Sequence, residues 1–198
     1  GGLEVETAGN TSNIEFDYKQ NGRGPTITEK VEVDAEGIPT NWTITGRTTF
    51  GNPVNESYAC NDGKASWQDS TGPGSADACS FYIDQNGSPW GISLLARALL
   101  ATPDAEMAVL PGGTARIRAR DTATYDGADG EVTVTTYEIT GLSTNPTHVT
   151  LDEELQLFSV ASPRFAIVRE GYEGADEALR AEAERYSTQR FVEIQANA

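Results

Sequence analysis

Asn13-Ile14-Glu15-Phe16-Asp17-Tyr18 is the stretch on which the fold turns. Ile14, Phe16 and Tyr18 share one face and Glu15 and Asp17 the other, the period-two pattern of a half-buried strand. Asn21-Gly22-Arg23-Gly24-Pro25 follows as a turn cluster. Thr26 to Asp34 alternates again, with Ile27, Val31 and Val33 in phase, and Glu36-Gly37 reverses the chain. Trp42, Ile44 and Gly46 carry the pattern into the next strand. Val54 to Cys60 and Lys64 to Gln68 form a further pair joined through Asn61-Asp62-Gly63. Five short strands with tight connections make an antiparallel meander.

The period changes near Ser88. Ser88-Pro89-Trp90 reads as an N-cap followed by proline at the first helical position. Ile92, Leu95, Ala96, Leu99 and Leu100 then recur at helical spacing up to Thr102-Pro103. This helix, Pro89 to Ala101, is apolar nearly all round and is expected to lie buried against the sheet. Trp90, Leu95 and Leu99, with Trp42 and Trp67, are the candidate core or ligand-facing side chains. Strands resume at Thr114 to Tyr125, Glu131 to Thr140, Thr147 to Leu151, Leu155 to Val160 and Phe165 to Val168. Gly174 to Val192 is a second helix with a thin apolar stripe of Ala178, Leu179, Ala183, Tyr186 and Phe191 among Glu and Arg. That composition predicts an exposed connector, with Leu179 and Phe191 of little weight in the core.

The expected fold is therefore mainly β: a curved antiparallel meander or half-barrel wrapped on one buried helix, plus a C-terminal helix. Residues 1–12 are expected as a tail, 13–170 as the β domain with its helix at 89–101, and 171–198 as the polar connector. Val31 to Pro39 and Val149 to Phe158 repeat one form, an apolar strand, an Asp, an acidic turn and another apolar strand. A shared hairpin recipe and an old duplication both account for it.

Of 198 residues, 30 are Asp or Glu and 14 Lys or Arg, for a formal net charge of −16. Such a surface repels phosphate backbones and argues against nucleic-acid binding. No apolar run approaches a membrane span. Cys60 and Cys79, each beside a turn-rich stretch, are expected to form a disulfide, the alternative being two unrelated thiols.

Catalytic patterns are sparse. His148 is the sole histidine, follows Asn145-Pro146, and has no nucleophile elbow nearby; it reads as a solvent-contacting residue at a strand edge. The glycine-rich Gly72-Pro73-Gly74-Ser75 and Gly112-Gly113-Thr114 lack the Gly-Lys-Ser/Thr of a phosphate loop. Asp126 to Glu131 misses the spacing of a calcium loop. No catalytic, cofactor-binding or metal-binding residue is assigned, and the isolated chain is expected to show neither hydrolase activity nor a tightly held transition metal.

Several blocks in order, Asn21-Gly22-Arg23-Gly24-Pro25-Thr26-Ile27, Trp42-Thr43-Ile44-Thr45-Gly46, Asp69-Ser70-Thr71-Gly72-Pro73-Gly74-Ser75, Ser88-Pro89-Trp90, Leu110-Pro111-Gly112-Gly113-Thr114 and Ser162-Pro163-Arg164-Phe165, together resemble the N-terminal region of exported bacterial metal-dependent amidohydrolases. The resemblance spans roughly residues 13 to 192, ahead of where that family places its catalytic barrel. The family's His-x-His motif is missing, so none of its metal ligands transfers to this chain. The resemblance implies a non-catalytic accessory domain of an exported hydrolase, periplasmic or secreted. It would position, shield or dimerise a catalytic part beyond Ala198, where alone a divalent metal such as zinc would sit. The expected partner is that catalytic domain or subunit, or a second copy of the chain. The other expectation, from a different class, is a stand-alone periplasmic binding module for a lipid-like or other apolar ligand.

Overall fold

The structure, a computed structural model, describes residues 1–19 and 21–196. It divides into two units, Gly1–Ala115 and a second from Arg116 onward. Both are dominated by antiparallel strands and each carries one α-helix.

Unit 1 is a seven-stranded antiparallel sheet in simple sequence order. Its strands are β1 (Gly2–Ala8), β2 (Thr11–Asp17), β3 (Thr26–Val33), β4 (Pro39–Arg47), β5 (Pro53–Asn61), β6 (Lys64–Asp69) and β7 (Gly72–Ala76). β1 and β7 are its two edges, so the sheet does not close into a barrel. The alternation read from Ile14 and Phe16 is the inner face. Register aligns Phe16, Ile27, Gly46 and Val54 in one row, Ile14, Glu29, Ile44 and Glu56 in the next, and Val31, Trp42, Tyr58 and Trp67 in a third. Trp42 and Ile14 are wholly buried. Between β5 and β6, Asp62 and Gly63 both have positive φ, the turn that a two-residue hairpin needs.

The helix α1 (Trp90–Ala101) connects two short parallel strands, β8 (Phe81–Tyr82) and β9 (Glu106–Leu110). Its start is anchored to the sheet. The Ser88 N–H donates to Glu29 Oε1, and a side chain at Gly91 would stand 2.8 Å from the Trp42 ring. Ser88 Oγ accepts from the Trp90 N–H at 3.3 Å, and Thr102 caps the far end through the Leu99 carbonyl at 2.7 Å. Trp90, Leu94, Leu95, Ala98 and Leu99 are all buried. The Cys60–Cys79 disulfide is present and ties the end of β5 to the segment before β8.

Unit 2 is a second antiparallel meander. It contains β10 (Thr114–Gly127, which begins at the end of unit 1), β11 (Gly130–Thr140), β12 (Thr147–Asp152), β13 (Leu157–Ser162) and β14 (Phe165–Val168), neighbours in that order. The long helix α2 (Asp176–Ala196) packs on β13 and β14.

Three expectations need correction. Residues 2–8, read as part of a tail, form β1 and pair with β2 along their whole length. Gly72 to Ser75, read as a turn, belongs to the edge strand β7, where Gly74 leaves room for the Trp67 indole. Finally, α2 is no free connector. Leu179 is 2% exposed and shares a core with Val134, Phe158, Tyr172 and Ala175. A thin stripe suffices because only one narrow face of α2 meets the sheet.

The repeated hairpin has one geometry in both places. Asp34 Oδ1 accepts from the N–H groups of Glu36 and Ile38 at 3.0 and 2.8 Å, and Asp152 Oδ1 accepts from those of Glu154 and Gln156 at 3.0 and 2.8 Å. The fourth residue of each turn, Gly37 or Leu155, takes positive φ. An Asx turn that satisfies two backbone donors with one carboxylate is sufficient cause for the likeness.

Candidate functional site

The inner face of unit 1 carries carboxylates among its apolar rows. Glu29 and Glu56 are each 2% exposed. Glu29 accepts from the Trp42 indole N–H at 2.9 Å as well as from Ser88. Glu56 Oε1 accepts from the Tyr82 hydroxyl and the Gln85 N–H, both at 2.8 Å, while its Oε2 is buried without a hydrogen bond. Asp84, on the segment that leads into α1, accepts from the Gly87 N–H at 2.8 Å. Its carboxyl is pushed up to about 7 by burial and then by the charges of Glu29 and Glu56. Burial raises Glu29 as well. Among the described residues no group of three or more His, Cys, Asp or Glu has the arrangement to hold a metal ion. These acids instead fasten α1's approach to the sheet through backbone N–H groups.

The five side chains singled out from the sequence lie in this unit. Trp42, Leu95 and Leu99 are at most 1% exposed, Trp90 is buried and Trp67 is half-buried. Trp67 tilts against Tyr82, which stacks on Tyr58 at 5.1 Å. They form packed core, and α1 occupies the space beside the sheet where an apolar ligand was envisaged.

Unit 2 holds the more open arrangement. Register places Arg118, Glu138 and His148 side by side on β10, β11 and β12. Glu138, 5% exposed, binds Arg118 at 2.6 Å and Arg120 at 3.1 Å. His148 Nε2 lies 3.5 Å from Glu138 Oε2 and makes no hydrogen bond. The imidazole stacks on the Tyr186 ring of α2 at 4.5 Å. The Tyr186 hydroxyl lies 2.5 Å from Asp121 and 2.7 Å from Glu182. Burial, opposed by the Glu138 charge, holds His148 below the usual histidine range. His148 stands at the start of a strand, and its side chain, 17% exposed, is built into a polar network that the sequence did not show.

Beside this network runs a groove of about 480 Å³. One wall is β12's start, Pro146 to His148. The second is the β13–β14 turn, including Val160, Pro163 and Phe165. The third is α2, through Ala183, Tyr186, Arg190 and Phe191. Phe165 and Phe191 are 52% and 60% exposed at its lip. Among the described residues, no Asp or Glu lines it. Arg190 Nε is buried there without a hydrogen-bond partner. The sequence held one signal for this place, a lone histidine in phase with buried Thr150. The convergence of three distant segments had none.

No protein-family model matches the chain, and no curated protein matches it either. Among solved structures, a DUF1089 family protein from Pseudomonas aeruginosa is similar at a TM-score of 0.45 and 14% identity, over 80% of this chain and 87% of that one. None of these comparisons links the chain to the amidohydrolases.

Proposed function

We propose that the chain is a binding module that holds a small lipid-like or otherwise apolar molecule in the groove of unit 2. The observation that carries this reading is the groove itself. Its volume of about 480 Å³ lies in the range of small-molecule sites. Its walls are largely apolar, and the side chains of His148, Tyr186 and Arg190 also line it. The Cys60–Cys79 disulfide supports an oxidising location, periplasmic or secreted. A titration with the neutral, environment-sensitive dye N-phenylnaphthylamine tests the proposal. Saturable binding to one site is expected, and Phe191→Asp should abolish it without changing the circular dichroism spectrum. Absence of saturable binding to the wild-type chain would sink the reading.

The accessory-domain role beside an amidohydrolase-like catalytic part is the second reading. It is favoured by Phe191 and Val192, adjacent near the end of α2 and 60% and 57% exposed. Val192 does not line the groove. Val192→Asp should therefore leave dye binding intact, and a loss of self-association or of co-purifying hydrolase in that variant would favour the accessory role.

A further inference from the structure

We infer that the ligand of this groove carries a carboxylate head, seated on Arg190, with its apolar body along Phe191 and Phe165. This rests on the binding reading above and adds the chemical class of the ligand. The chain as a whole has a formal charge of −16, yet among the described residues the groove is lined by no acid, and Arg190 is its one formally charged lining residue. The nearby carboxylates are already engaged. Glu138 is held by Arg118 and Arg120. Asp121 and Glu182 are both bonded to Tyr186 and Arg185. Those three do not compete for the guanidinium, whereas Glu193 does, from Nη1 at 3.5 Å, and a bound carboxylate shares Arg190 with it.

Among the described residues, Arg190 Nη1 makes an ion contact with Glu193 at 3.5 Å. Its Nε–H is buried without a hydrogen-bond partner, while the side chain as a whole is 41% exposed. A carboxylate head pairs with the rest of the guanidinium, on that exposed part of the side chain, rather than at the covered Nε. The acid-free lining also removes the like-charge repulsion that an anion meets elsewhere on the molecule. An apolar tail then finds the half-exposed phenyl rings at the lip.

The test displaces bound N-phenylnaphthylamine with decanoate and, separately, with decanol. Decanoate should compete about tenfold better in the wild-type chain, the scale of one charge-assisted hydrogen-bonded pair. Arg190→Gln should erase that advantage while leaving decanol unchanged, and Arg190→Lys should keep part of it. Equal competition by the two in the wild-type chain overturns the inference while leaving the binding module standing. An advantage that survives Arg190→Gln overturns the assignment to Arg190. Failure of the dye to bind at all is the separate failure of the binding reading. Should Arg190→Gln not fold, the wild-type comparison of acid with alcohol decides the ligand class alone.

Discussion

Asp84 shows how a single side chain imposes a pH dependence on the fold. Its ordinary value of 3.8 is raised to about 7 in the folded chain. Folding therefore takes up a proton between those values. Stability falls as pH rises through that window, and the loss is complete above it. Asp84→Asn keeps an acceptor for the Gly87 N–H and removes the charge. The variant should have a higher urea midpoint than the wild type at about pH 8, and the gain should shrink to nearly nothing by about pH 3, below the ordinary value of 3.8, where the wild-type carboxyl is largely protonated in both states. An equal gain at both pH values would show that repacking, not charge, is responsible. His148 acts in the opposite sense. Its value is depressed in the folded chain, so its contribution is intact above about 6.5 and is lost as pH falls. Comparing variant with wild type at each pH cancels that second dependence.

At the scale of the element, the two helices obey different rules and yet both belong to cores. α1 is apolar on nearly every side and buried on nearly every side. α2 is polar apart from a stripe, in which Leu179 and Tyr186 are buried at 2% and 3% exposure. Leu99→Ala and Leu179→Ala should each cost about 2 to 5 kcal/mol, since each opens a cavity in a packed cluster. Because all three tryptophans lie in unit 1, tryptophan fluorescence during urea unfolding reads Leu99→Ala. Far-ultraviolet circular dichroism, to which α2 contributes the longer helix, reads Leu179→Ala. Phe191→Ala, at an exposed site, should cost under about 0.5 kcal/mol by the same measurement.

For the whole molecule, the charge of −16 is the dominant long-range term. Self-repulsion of that size opposes compaction and is screened by salt. The urea midpoint should rise between about 0.05 M and about 0.5 M sodium chloride, where the screening length falls severalfold. A midpoint that falls with salt would mean that specific ion pairs, such as those of Glu138 with Arg118 and Arg120, outweigh the global repulsion. The disulfide closes a loop with a sequence separation of 19 residues. Titration of unfolded chain should find no thiol before reduction and two after it.

Some of this was legible residue by residue. Alternation in β2, β3 and β4 identified those strands, because side chains in a half-buried strand must alternate between core and water. An all-round apolar segment after Ser88-Pro89 identified α1 as buried, and two cysteines beside turns identified the bond. The edge strands β1 and β7 were harder to read. An edge strand needs only one hydrogen-bonded neighbour, and Gly72-Pro73-Gly74 has the composition of a turn. What tertiary structure alone decided is who meets whom. Glu29 stands in phase with Ile27, Val31 and Val33, but only register shows that it shares a row with Glu56 and receives the backbone of Ser88. In the same way, His148, the turn before Phe165 and the last turns of α2 lie far apart along the chain. Periodicity constrains one element at a time. A groove depends on how elements pack, and the information for that is spread over contacts that no local pattern records.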